Sequence, residues 1–433
     1  MQRNIKINTL LLSCTLFLFT SCKKDYGDLN GSTIEEVTKN ATQSQLNNLV
    51  SGTESGMRNS LNIYLDDVSV IGREIYRFSN SEPRYVLDLL GANDAQLIGN
   101  NFYITIPWAA RYSVVKNCNV LIQAATNSTF ITNEQKSGYL GFARTIKAYQ
   151  LLLNLNLTDS NGIRIDVNDP GNLGPIVSYD DGLAAITSLL DSARTDFSNA
   201  TISFSLAGFN RFSDASGLTK FNRALAARVS LYQSHWQTAL DDLNASFFLL
   251  QGDFNAGIYH EFGTGSGDQI NSVFIPQNQT GEARVAHPSY ATDIEPGDDR
   301  INKTSLRNSP ISLSDLTSDR DVWVYTSSTA PIAIIRNEEL ILIYAEANIQ
   351  LNNLEEGVKA INVIRNRHGL TDYDGPLTKS ALITEMLNQR RYSLFFEGHR
   401  WIDLRRYNLL NTLPIDRTGD NVWSEFPLPT TEN

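Results

Sequence analysis

The chain has 433 residues, 41% of them hydrophobic, which is ample for a large core with more than one lobe. Its 36 basic and 47 acidic residues leave a formal charge of -11, and that balance argues against nucleic acid as a partner.

Arg3 and Lys6 precede a mostly apolar run from Leu10 to Phe19, followed by Thr20, Ser21 and Cys22. A run of about ten residues is too short to remain as a bilayer-spanning helix, so residues 1–21 are expected to be a cleaved signal peptide. The small residues before Cys22 make it the expected lipidation site. The polar Lys23-Lys24-Asp25 that follows argues against a buried core helix here. Several acyl chains on one cysteine give durable anchoring where a single chain does not. Removing Arg3 and Lys6 with no acid takes the charge from -11 to -13, and an acidic body on a lipid tether suits a protein facing the medium. Cys14 would leave with the signal and Cys22 would be acylated. Cys118 is then alone, in an apolar helical context that reads as core and allows no intrachain disulfide.

Helical periodicity dominates the body. Amphipathic runs are expected at Gln43–Leu61, Ile104–Ala125, Asn133–Leu157, Gly182–Ser198, Lys220–Gln233, Trp236–Leu250, Ile332–Gln350, Leu354–Arg367 and Lys379–Glu397, with strands a minor part. Two helix pairs read as copies of one unit. The first begins at Leu225 and the second at Ile343, placing Ala227 over Ala345, Ala239 over Gly357 and Leu243 over Ile361. Small residues at these positions let paired helices approach, as in tetratricopeptide units. The copies lie 118 residues apart, far beyond the roughly 34-residue period of a contiguous array. The expected division is therefore residues 22–250 with the first repeat, a loop-rich insertion at 251–331 marked by Gly263-Thr-Gly-Ser-Gly267 and Pro296-Gly-Asp-Asp-Arg300, and a helical part at 332–433. A second irregular block runs from about Asn62 to Asn101. Long irregular segments inside a compact protein are usually functional.

Catalytic signatures are missing from the sequence. The five histidines have no metal-binding spacing, and there is no Gly-x-Ser-x-Gly elbow or Walker loop, so no catalytic residue, metal or cofactor is expected. Asp372-Tyr-Asp374-Gly375 reads as a turn because the later glutamate of a calcium loop is missing. Glu339 and Glu346 share a helix face and could suggest a glycosidase, but that face is apolar and interior. Arg336 and Arg390 are better partners for them than a sugar. Aromatic residues of the irregular segments are the better signal, since sugar faces and peptide side chains both pack on flat rings. Arg73, Tyr76, Phe78, Arg84, Tyr85, Phe102 and Tyr103 from the first block, and Trp323 and Tyr325 from the second, are the candidate ligand contacts. Tyr259, His260, Phe262 and Tyr290 also lie in the second block, whereas Trp108, Trp236 and Trp401 sit in helical or motif contexts and read as core.

The segment from Met386 to Arg406 carries the densest information. Arg390 and Glu397 fall on the same helical face as Ile383, Met386, Leu387 and Leu394, so both charges must be partnered inside the protein. Glu339, Glu346, Arg390 and Glu397 are therefore expected to form structural ion pairs. Gly398 suits a helix C-cap, with Arg400, Arg405 and Arg406 beyond it.

This Arg-Arg-x-x-x-Phe-Phe-Glu-Gly-His-Arg-Trp-Ile-Asp-Leu-Arg-Arg run resembles the C-terminal hallmark of the SusD/RagB family of nutrient-capturing surface lipoproteins. The segments at Gly141–Leu153, Ala224–Leu240 and Arg336–Ala347 resemble three further family helices, Phe426-Pro-Leu-Pro429 resembles its Pro-rich tail, and Lys23-Lys24-Asp25 resembles its surface-export tag. The resemblance implies a mainly α, tetratricopeptide-like scaffold with loop-rich insertions. It further implies a non-catalytic outer-membrane lipoprotein that faces the extracellular side, binds oligosaccharide and works with a TonB-dependent (SusC-like) transporter. An oligopeptide ligand on the same fold and a surface hydrolase are the alternatives.

Overall fold

The computed structural model describes residues 34–169 and 171–432; the expected signal at 1–21 and Cys22 lie outside them. Helices α1 (Ile34–Asn40), α2 (Gln43–Gly56) and α3 (Leu61–Ile71) lead into strand β1 (Ile75–Ser79). The scaffold continues with α4 (Phe102–Asn127), α5 (Asn133–Thr158), the short strands β2 (Ile163–Arg164) and β3 (Ile176–Val177), α6 (Tyr179–Phe197), α7 (Ala215–Tyr232) and α8 (Trp236–Asn244). An intervening region holds β4 (Gly257–His260), β5 (Glu282–Ala286), α9 (Pro288–Asp293), β6 (Thr304–Leu313), β7 (Leu316–Val322) and β8 (Ile332–Arg336). Four helices close the chain: α10 (Asn337–Gln350), α11 (Leu354–Arg367), α12 (Lys379–Ser393) and α13 (Arg400–Arg406).

Local chemistry sets several of these boundaries. Thr42 and Thr132 each open a helix with a capping box, exchanging hydrogen bonds with the glutamine three residues on. Packing then follows chain order, with α5 on α4 and α6, α7 on α6 and α8, and α10 on α7, α8, α11 and α12. The two helix pairs α7–α8 and α10–α11, distant in sequence, are thus neighbours in one tetratricopeptide-like, mainly helical scaffold. Ala227, Ala239 and Ala345 are fully buried at their crossings, and a Cβ on Gly357 would come within 2.5 Å of Ile349 Cγ1. Closest approach is why small side chains stand there. The strands form an antiparallel sheet in the order β1-β5-β7-β6, and a separate antiparallel pair β4-β8.

Four elements differ from the sequence reading. The expected helix at Gln43–Leu61 breaks after Gly56, Ser60 adopts a positive φ of 54°, and α3 then occupies the start of the supposed irregular block. The run Trp236–Leu250 stays helical only to Asn244. Residues Ile332–Arg336, expected as the first turn and a half of a helix, form β8 instead. Their β-branched side chains are mostly buried, and their backbone groups pair with β4. Finally, α12 stops at Ser393, short of Glu397, because Phe396 takes φ 60° and Gly398 φ 85°. Arg400, Arg405 and Arg406 consequently belong to a second short helix and do not trail from the first.

The four charges expected in ion pairs are buried or nearly so, but their partners differ from those expected. Glu339 accepts two bonds from Arg228 of α7, both at 2.6 Å, and Glu346 pairs with Arg406 at 2.8 Å. Arg390 donates to Asp403 at 2.6 Å, and Glu397 pairs with Arg336 at 2.8 Å. Burial pushes Glu339 and Asp403 upward, yet their guanidinium partners hold both below the ordinary carboxylate range.

Candidate ligand pocket

Six segments converge on an open cavity of about 520 Å³. The β8–α10 junction contributes Ala333, Arg336 and Glu338, while Tyr259 comes from β4 and Asn255 from the turn before it. A 3-10 turn at Asp299–Lys303 supplies Asp299, Asn302 and Lys303. Trp323 and Tyr325 come from the segment after β7, Arg367 and His368 from the end of α11, and Glu397 from the turn after α12. A cavity of this size, part aromatic and part polar, falls in the range of small-molecule sites.

Arg336 organises one wall. It precedes α10 in extended backbone, and its guanidinium donates to Glu338, to both oxygens of Glu397 at 3.1 and 2.8 Å, and to the Ser393 carbonyl at 2.6 Å. The other Glu338 oxygen meets His368 Nε2 at 2.8 Å, and His368 Nδ1 meets Asp299 at 2.7 Å. Burial pushes Glu338 upward, but Arg336, the His368 hydrogen bond and Lys303 together hold it well below the ordinary range. Lys303 donates to the Ser393 carbonyl, and burial lowers its ammonium despite the nearby Glu338 and Glu397.

The ring-bearing side of the pocket is less constrained. Trp323 is half-buried, anchored by its backbone N–H to the Lys303 carbonyl at 2.7 Å, with Phe274 at 6.2 Å between ring centroids. Tyr259 is likewise half-buried and donates its hydroxyl proton to the Asn255 carbonyl at 2.6 Å. Tyr325 lines the cavity but is only 6% exposed, with its hydroxyl 3.4 Å from the Phe396 carbonyl.

The first-block candidates sit elsewhere, packed into their own loops. Arg73 is buried and donates to the carbonyls of Ile71, Pro414 and Asn421. Tyr76 is buried against Phe78 and His287, Tyr85 lies under Arg77, and Tyr103 is buried with its hydroxyl bonded to Asp88. These five residues, Arg73, Tyr76, Phe78, Tyr85 and Tyr103, present no free face to a ligand, which corrects the reading of the loop aromatics. Arg84 and Phe102 remain half-buried, but Arg84 is tied to Glu82 and stacked over Phe102 at 4.9 Å. Conversely, Arg336, Glu338, Lys303, Arg367 and His368 were missed as pocket residues. A charged residue at a helix start and a lone histidine at a helix end carry no sequence signal of their own; only tertiary packing brings them together.

Residues 295–425 match the SusD family model. No curated protein matches the chain by sequence. Among solved structures, a SusD superfamily protein from Bacteroides vulgatus is similar over 90% of this chain and 96% of its own, at 17% identity and a TM-score of 0.70. Surface glycan-binding protein A from Bacteroides thetaiotaomicron, in complex with laminarihexaose, covers 90% and 97% at 15% identity and a TM-score of 0.69. NanU of Bacteroides fragilis covers 93% and 96% at 16% identity and a TM-score of 0.67.

Proposed function

From a chain whose residues 295–425 match the SusD family model and whose fold is similar over 90% of its length to a SusD superfamily protein, we propose a cell-surface lipoprotein that binds oligosaccharide nutrients. It passes them to a TonB-dependent outer-membrane transporter and cleaves nothing. The observation that carries this reading is the Trp323 pocket. A half-exposed indole, a half-exposed tyrosine and two asparagine amides open onto one cavity, offering ring faces for sugars and polar edges for their hydroxyls. That a protein of the same fold is described in complex with laminarihexaose supports a glycan as ligand. Glycoside hydrolysis needs a carboxyl group kept protonated, with a raised pKa, as the acid. Glu338 and Glu397 are ion-paired with Arg336, Asp299 is hydrogen-bonded to His368, and Glu338 is held low, which is the opposite setting for a proton donor.

Trp323→Ala should weaken oligosaccharide binding about tenfold, the worth of one lost stacking contact of about 1.4 kcal/mol, with the melting temperature unchanged. Calorimetry against glycans and oligopeptides checks it. Binding of peptides alone would turn the reading to an oligopeptide carrier, and shortened glycan products in the cell would make the protein a hydrolase. For the anchor, Cys22→Ala should abolish palmitate labelling, and continued labelling would remove the lipoprotein reading.

A further inference from the structure

A second cavity of about 390 Å³ shares no lining residue with the Trp323 pocket. It forms where the ends of scaffold helices meet: Asp159 and Ser160 after α5, Tyr179 at the start of α6, Tyr232 and Ser234 after α7, Trp236 at the start of α8, Gln350 at the end of α10, and the Arg405–Tyr407 end of α13. Tyr179 and Trp236 are half-buried, and among the described residues neither has another ring or a guanidinium packed on its face. Tyr407 is half-buried and shares the Arg406 guanidinium with Tyr232, at 5.4 and 5.2 Å.

The charges beside these rings are already matched. Arg405 pairs with Asp159 at 3.0 Å, and Arg406 pairs with Glu346 and Asp403, each at 2.8 Å. No free cation calls for an anion, and no free carboxylate calls for a cation. Neutral hydrogen-bonding capacity is what remains. The Gln350 amide gives its N–H to Tyr407 at 3.0 Å and keeps its oxygen, and Ser160 and Ser234 are exposed.

We infer that this cavity is a second saccharide site, taking a short stretch of neutral sugar with its faces on Trp236 and Tyr179 and its hydroxyls on Gln350 and Ser234. Rings with free faces beside matched charges select against both apolar and ionic ligands. The site stands apart from the Trp323 pocket, so two short glycans can fill both independently, and only a glycan long enough to bridge them gains avidity beyond either affinity alone.

The chain has five tryptophans, so 5-fluorotryptophan labelling and fluorine NMR can read the two sites separately, with signals assigned from Trp236→Phe and Trp323→Phe. The probes are neutral gluco-, xylo- and manno-oligosaccharides, laminarihexaose among them. The Trp236 signal should shift with a midpoint of about 1 mM, the affinity of a shallow open site. In a Tyr179→Ala variant that midpoint should rise at least about tenfold, equivalent to one lost contact. A Trp236 signal that stays in place with every neutral probe to saturation overturns the inference, whatever the Trp323 signal does. A midpoint unchanged by Tyr179→Ala overturns it too, since the shift would then arise outside this cavity. Failure of the main reading looks different: the Trp323 signal would stay in place.

Discussion

Arg336→Leu should destabilise the protein by about 3–5 kcal/mol, because it strands two buried carboxylates that share one guanidinium. Glu338 and Glu397 both depend on Arg336, which also satisfies the Ser393 carbonyl. Arg367→Leu, at an exposed position with no ion-pair partner among the described residues, should stay within about 0.5 kcal/mol and serves as the control. The effect must depend on pH. Glu338 is held below its unfolded value near 4.5, so the stability it contributes is present above that pH and is lost as pH falls through the lower folded value. Without Arg336 most of that contribution disappears, so the gap between wild type and variant should be widest near neutrality and narrow in acid. Chemical denaturation at pH 7 and at successive values below pH 4 follows the narrowing. Equal stability at pH 7 would mean that the hub contributes nothing.

The same hub shows how far the sequence could be read. Helical phase tells which face of a helix a residue occupies, so Arg390, Glu339 and Glu346 were legible as interior charges. It does not tell which element lies opposite. Glu339 meets Arg228 from the first helix pair, and Arg390 meets Asp403 from a short helix that the glycine-containing turn at Phe396–Gly398 folds back. The first contact spans 111 residues and depends on the two helix pairs packing together, while the second spans 13 and depends on that turn. Aromatic content misled for a related reason. The block around β1 is closed by the C-terminal tail, where Arg73 bonds to Pro414 and Asn421 and Trp423 donates to the Asp88 carbonyl. A loop rich in rings can be covered by a distant strap, and composition carries no sign of the strap. The pocket walls were hidden for a further reason: Asp299, His368, Glu338 and Arg336 form a chain only because β8 stands where a helix was expected.

Glu74→Gln should stabilise the protein at pH 8 by up to about 3 kcal/mol and change little near pH 4.5. Glu74 is 3% exposed, between α3 and β1, with one carboxyl oxygen accepting from the Phe396 N–H at 3.2 Å and the other without a partner. Burial raises its carboxyl to about 7, with Arg400 too weakly placed to reverse the effect. Between about pH 4.5 and 7 the folded chain therefore keeps a proton that the unfolded chain gives up. The stabilising contribution of this neutral carboxyl is full below that window and is lost as pH rises through it. Glutamine keeps the shape and the acceptor for Phe396 but cannot ionise, so it removes the loss at high pH without adding anything at low pH. Denaturant titrations of both proteins at pH 4.5 and pH 8 decide the matter. A variant less stable than wild type at pH 8 would show that Glu74 is ionised and supported by Arg400. A gain of equal size at both pH values would show that packing, and not protonation, is responsible. Glu74 touches the Phe396 backbone, three residues from Arg336's acceptor Ser393. The two substitutions thus probe one turn from opposite sides: a carboxylate pair that requires its cation, and a lone carboxyl that the fold tolerates only when neutral.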